Sequence, residues 1–410
     1  MRMLKTMTLL AVIAGAIVIL GALWQPAPVA AQVKPAGEQP ATAAGGGYRV
    51  LAPITHGSLT IFPVVAASAH DTREFLTLDE GLRSGEVVVT EAGRVQPLIR
   101  RGRRYEQQRG DGAEVNRLVL VNNSKRPLLL LAGEIVTGGK QDRVIGKDRI
   151  VPAESDPIDL SVFCVEPGRW VARSDKFGGL SGQMAQPSVR AKAMADKDQQ
   201  KVWAEVGKSR ESAVAAVASA PTIDSNGRPS VNTTVEVTGE APLVETTTAQ
   251  IGRTSSYAGV MENKAVRAQV DAVAAPMQKS YESVIRQLKN QNAVGVVVAI
   301  NGEIEWADIF ASTELLQKYW PKLVRSYAAE TIGITRAKGA TVSQAAAQQF
   351  LNDWGGKRQM VETEPGLFRH VEVAGRGFRA FQLTSLLPKT GFDVHLSKMA
   401  EENGGMIGND

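Results

Sequence analysis

Strand-type sequence occupies both ends of this chain and helical sequence lies between, so strands from the two ends must share partners. Residues 58–65, 86–90, 117–121, 127–136, 143–151 and 158–165 are short runs rich in Val, Ile and Leu, bounded by Gly, Pro, Asn or Asp. Several are apolar at consecutive positions, Leu128-Leu129-Leu130-Leu131 above all, which predicts strands covered on both faces. Strand patterning returns at 294–300 and 303–306, and again between Phe368 and Leu396. Residues 188–218 and 263–290 carry helical periodicity instead, the second with Pro276 as an expected kink. Strands left alone at either end would have unpaired main-chain groups. The pattern therefore predicts one interleaved α+β domain over 48–400, with an antiparallel-rich β core from both chain ends and helices from the middle.

Local signals mark the joints. Gly138-Gly139 reads as a hairpin turn between its flanks, and Asn301-Gly302 as another. Residues 76–85 read as a helical turn between strands. Ser312 is a good N-cap for a helix running to about Ile332, with Leu315, Leu316, Tyr319, Leu323 and Tyr327 as its packed stripe. Thr341 with Gln344 reads as a capping box opening a helix that ends at Gly355-Gly356.

The N-terminus carries Arg2 and Lys5, an apolar stretch from Met7 to Trp24, and the small residues Val29-Ala30-Ala31. Residues 1–31 thus read as a signal peptide cut before Gln32, which predicts a periplasmic or secreted protein with no membrane span after processing. The alternative is an uncleaved anchor that tethers the chain to a membrane. Residues 32–47, rich in Pro, Ala and Gly, read as a flexible tether; Thr-rich residues 221–254 read as a mobile insertion, and 401–410 as a disordered tail. Removing the signal peptide takes away Arg2 and Lys5 and lowers the formal charge from +5 to +3, too little for a nucleic-acid-binding face. The run Arg100-Arg101-Gly102-Arg103-Arg104 reads as a solvated hairpin tip, with an anion or membrane-surface contact as the alternative. A single cysteine, Cys164, forbids an intramolecular disulfide, so stability must come from an ordinary core.

Polar residues abut the strand ends in two clusters. Glu134 follows five apolar residues, and a carboxylate there needs a partner if it is buried; Arg143 or Arg169 can supply one in a strand-end ion pair or a ligand site. Gly138-Gly139-Lys140 lacks P-loop spacing, and the residues after it read as strand. Cys164 shares an alternating face with Ile158, Leu160 and Val162, which predicts a buried filler and no nucleophile. Trp170, after Gly168-Arg169, reads either as a core ring with arginine over it or as a platform for a base or sugar. The acids Glu303, Glu305 and Asp308 read as a solvated face, and the histidines 56, 70, 370 and 395 are scattered. With no HExxH, paired cysteines, Asp-rich calcium loop or GxSxG turn, no metal, cofactor or serine nucleophile is expected.

Leu78-Asp79-Glu80 with Thr90-Glu91, Leu120-Val121-Asn122-Asn123, Gly133-Glu134 with Gly138 and Gln141-Asp142-Arg143, Cys164-Val165-Glu166 with Gly168-Arg169-Trp170, and Gly302 with Phe310-Ala311-Ser312 together carry a likeness. In them the chain resembles the ARG-and-rhodanese-phosphatase-associated protein domain family of prokaryotes. The resemblance implies a soluble single-domain fold and a tie, through gene neighbourhood, to ADP-ribose or nucleotide metabolism. It implies no particular reaction. The leading expectation is an exported binding module for a small anionic or nucleotide-like ligand or an envelope protein, using Glu134, Gln141, Arg143, Glu166, Arg169 and Trp170. The alternatives are a hydrolase or transferase on a nucleotide-like or ADP-ribosylated substrate with Glu134 or Glu166 as general base, and a structural or interaction protein of the envelope.

Overall fold

A computed structural model describes residues 47–92, 116–220, 222–223, 229–230, 243–288, 291–335, 337 and 339–401. The expected signal peptide and tether up to residue 46, the run at 100–104, most of the Thr-rich segment and the expected tail after 401 lie outside the described residues. None of the helices among the described residues is long and apolar enough to cross a membrane.

The strands from the two ends do share a sheet. Its order is Tyr48–Val50, Leu59–Ala66, Asn292–Ile300, Glu303–Phe310, Asp393–Ala400, Phe378–Ser385, Phe368–Gly375 and Lys357–Glu364, and Ile54–His56 also pairs with Leu59–Ala66. Every pairing in it is antiparallel, and Leu59 lies opposite Ile300, which is how the N-terminal strand finds its partner. The Asn301-Gly302 turn closes one hairpin with φ of 51° and 88°, the left-handed pair that such a two-residue turn requires.

A second β layer has the order Gly178–Met184, Glu134–Thr137, Arg143–Ile145, Ile158–Cys164, Arg117–Asn122 and Val87–Thr90. Phe177 N donates to Val89 O at 2.9 Å and so links the two ends of that order. Beside it, Arg149–Val151, Leu128–Leu130 and Leu76–Thr77 form a short sheet, with Leu76–Thr77 parallel to Leu128–Leu130. Side-chain alternation divides the interior in two. Leu128, Leu130, Val87, Val89, Leu118, Leu120, Leu160 and Val162 fill a small core, whereas Leu129 and Leu131 join the large core under the helices. The leucine run is covered on both faces, as its composition predicts. Each such leucine contributes roughly 1.5–3 kcal/mol of burial.

The helix Thr313–Glu330 packs into the large core through Leu315, Leu316, Tyr319, Leu323 and Tyr327. Ser312 caps it by accepting from Leu315 N at 3.0 Å, and Tyr319 donates its hydroxyl to Leu129 O at 3.0 Å.

Several boundaries differ from expectation for local reasons. The span 188–218 is broken: Pro187–Ala191 runs into a π-type turn, Lys192–Asp196, before Asp198 caps a new helix, Gln199–Ser219. Part of the segment expected to be a mobile insertion, Leu243–Arg253, is helical and buries Ile251 in the large core. Ser343 rather than Thr341 caps the helix Gln344–Asn352, accepting from Ala346 N at 3.0 Å. The strand Lys357–Glu364 went unread because it is polar, largely exposed and at the end of its sheet, with Met360 61% exposed.

Candidate functional site

The helix Leu78–Ser84 starts at a reciprocal cap. Thr77 Oγ1 accepts from Glu80 N at 3.3 Å, and the Glu80 carboxylate accepts from Thr77 N at 2.9 Å. Gly85, with φ of 73°, ends it. This short helix presents Asp79, Leu82 and Arg83 to an open cleft of about 480 Å³. Thr313–Glu330 contributes Lys318, Pro321 and Lys322, and the strand Gly178–Met184 contributes Gly178, Gly179 and Gly182. The glycines leave bare main chain along that wall. A Cβ at Gly179 would come within 3.3 Å of Asp79 Oδ1.

Lys322 is the fixed point of the cleft. Its ammonium donates to Asp79 Oδ2 at 2.9 Å and to the Glu134 carboxylate, and it lies 4.7 Å from the centroid of the Tyr319 ring. Glu134 is only 2% exposed, and its other oxygen accepts from Leu131 N at 2.8 Å. Burial works against the charge on Lys322, but Glu134 and Asp79 outweigh it and hold the ammonium above the ordinary lysine value. Lys322 is therefore a standing cation at neutral pH and no proton acceptor. Lys318 donates to Phe75 O at 3.2 Å and pairs with Glu80 at 3.3 Å. Arg83 has no carboxylate partner among the described residues. The arrangement can hold an anion, and among the described residues Asp79 is the one carboxylate that lines it.

The other expected site residues gather elsewhere, around the Gly138-Gly139 turn. Arg169 donates to Gly139 O at 2.8 Å, Val171 O at 2.6 Å, Gly138 O at 3.3 Å and Glu166 Oε2 at 2.5 Å. Glu166 also accepts from Asp142 N at 3.0 Å and lies 3.3 Å from Arg173. Burial pushes its carboxyl up, but the bonds from Arg169 and Asp142 N prevail and hold it below the usual glutamate value. Gln141 donates to Glu166 O at 3.1 Å, and Arg143, fully buried, donates to Asp142 O at 3.5 Å. These bonds tie the turn to the loop after Cys164.

Two expectations are corrected here. The partner of Glu134 is Lys322 and not Arg143 or Arg169, because Glu134 begins the strand Glu134–Thr137 and the turn that gathers those arginines lies beyond its far end, roughly 10 Å away. Trp170 is not a core ring: it is 43% exposed, and the cation over its face is Lys140, 5.0 Å from the centroid. Cys164 is buried as expected, and burial raises its thiol pKa.

Asp308, expected on a solvated face, is instead the centre of a fully buried network. It accepts from Arg190 at 2.9 and 3.0 Å and from the Tyr327 hydroxyl at 2.5 Å, and it lies 3.3 Å from His395 Nε2. His395 Nδ1 meets Asp148 at 2.5 Å, and Asp148 also accepts from Ala132 N at 2.7 Å. With Arg190 and His395 charged, two cations balance two carboxylates. The network joins the large sheet to the second β layer and has no opening to solvent.

Neither Asp79 nor Lys318 carries a site signal of its own in the sequence. One sequence signal does point to Lys322: it follows Tyr319 by three positions and so falls within the apolar stripe of its helix. A lysine on a buried stripe requires a carboxylate partner.

The model of one protein family, the ARG and Rhodanese-Phosphatase-superfamily-associated Protein domain, matches residues 47–399, and the chain belongs to that family. No curated protein and no solved structure matches it.

Proposed function

We propose that this family member is a binding module for a small anionic ligand, held in the cleft between the helices Leu78–Ser84 and Thr313–Glu330. The observation that carries the reading is the convergence of Arg83, Lys318 and Lys322 on a cleft of about 480 Å³ with a glycine wall. That volume falls within the roughly 300–1,000 Å³ typical of small-molecule sites. Lys322 is held in place before any ligand arrives, so little side-chain entropy is lost on binding. Enzymatic use of Glu134 or Glu166 finds less support. Glu134 is enclosed with both oxygens engaged, and Glu166 is buried and tied to Arg169 and Asp142 N.

The reading includes export. The segment 1–31 favours cleavage before Gln32 and a periplasmic or secreted domain. N-terminal sequencing of protein from its native host should return Gln32; Met1 or Arg2 would contradict it. For the cleft, isothermal titration with small phosphate and carboxylate anions should show saturable binding that weakens with salt. Arg83→Ala and Lys318→Ala should each weaken it by about tenfold. Absence of binding at low ionic strength would overturn the proposal.

A further inference from the structure

The charges of the cleft are unevenly spread. Lys322 is one cation shared by two carboxylates, Asp79 and Glu134, so its end carries a surplus of negative charge. Lys318 is matched by Glu80. Arg83 has no carboxylate partner among the described residues, so among them its part of the rim carries surplus positive charge. Of the two carboxylates on Lys322, only Asp79 meets the cleft: its side chain is 32% exposed, against 2% for Glu134. Asp79 Oδ2 takes Lys322, while Oδ1 faces the glycine wall and is the atom nearest to the Cβ that Gly179 lacks.

We infer, resting on the reading of the cleft as an anion site, that its ligand is bipolar. An anionic group meets Arg83 and Lys318, and a neighbouring hydrogen-bond donor, hydroxyl or ammonium, meets Asp79. A bare anion held by Arg83 and Lys318 loses part of that attraction to repulsion from Asp79, which shares Lys322 with Glu134. A donor beside the anion converts that repulsion into a hydrogen bond. Asp79 is then a specificity-determining residue, and Gly179 is what keeps its free oxygen open.

The test is isothermal titration of the full domain with three ligands that share one anionic group. Methyl phosphate carries no adjacent donor, glycerol 3-phosphate adds hydroxyls, and phosphoethanolamine adds an ammonium. The expected result is that at least one donor-bearing ligand binds at least tenfold more tightly than methyl phosphate, the better of the two identifying the donor. Asp79→Ala should abolish that preference, read as the ratio of the donor-bearing ligand's affinity to that of methyl phosphate. Gly179→Ala, which leaves every charge in place but crowds Oδ1, should reduce it as well and serves should Asp79→Ala fail to fold. If methyl phosphate binds as tightly as both others, or the preference survives both variants, the bipolar ligand is refuted while the anion site stands. If none of the three binds, both fall.

Discussion

Replacing Asp308 with asparagine removes one charge from the most enclosed polar cluster of the fold. Its carboxylate accepts two bonds from Arg190 and one from Tyr327, and it lies 3.3 Å from His395 Nε2, with all these side chains buried. An asparagine amide keeps one acceptor oxygen and turns an N–H towards donors. Two cations would then face Asp148 alone. Breaking a buried pair by removing one partner costs about 3–5 kcal/mol, a large part of the roughly 5–15 kcal/mol that holds a typical domain together. Equilibrium unfolding in urea, followed by tryptophan fluorescence, should show that loss. With a slope of about 3 kcal/mol per molar, the midpoint should fall by more than about 1 M. The companion variant Arg190→Met/Asp308→Leu removes both charges, and methionine can still lie against Trp306, whose ring centroid is 4.5 Å from the guanidinium carbon. It should be less destabilised than Asp308→Asn alone. A loss below about 1 kcal/mol for Asp308→Asn, or a double variant as unstable as the sum of its single variants, would refute the reasoning.

Other outcomes follow from the same geometry. Burial opposes the charge on His395, but Asp148 and Asp308 raise its pKa from 6.5 to about 9. The folded value lies above the unfolded one, so the stabilisation is complete below pH 6.5 and is lost as pH rises through about 9, by roughly 3 kcal/mol. Urea midpoints taken across that range should fall, and His395→Gln should flatten the slope. Gly139→Ala should destabilise by roughly 1–3 kcal/mol, measured the same way, because φ is 48° and the new Cβ would sit 2.2 Å from Phe177. Cys164 should resist iodoacetamide in the folded protein and react once urea unfolds it; rapid native labelling would contradict its burial.

Much of the fold is legible in the sequence because its signals are local. The leucine run predicts a strand covered on both faces, Gly138-Gly139 and Asn301-Gly302 predict turns, and Ser312 predicts the start of the central helix. Strands at both chain ends predict a shared sheet, and Leu59 does lie opposite Ile300. The site is less legible because its contacts are not local. Glu134 implies a cation, but the one that reaches it, Lys322, is 188 positions away, far beyond Lys140 and Arg143. Asp308 sits two positions after Trp306 on a strand whose opening acids, Glu303 and Glu305, suggest a wet face. Only pairing with Asp393–Ala400 brings His395 beside it and turns that face inward. A polar residue in an apolar pattern announces that it needs a partner, not which partner.

Locating an anion in the cleft between Leu78–Ser84 and Thr313–Glu330 tests its reading as a binding site. Crystals grown at low ionic strength with tungstate, a heavy tetrahedral anion, report the position by anomalous scattering. A peak is expected in the cleft, with oxygens within hydrogen-bond reach of Arg83 and Lys318 and beside the glycines of the strand Gly178–Met184. A peak confined to other surfaces, or a cleft left empty while the anion binds elsewhere, would contradict it.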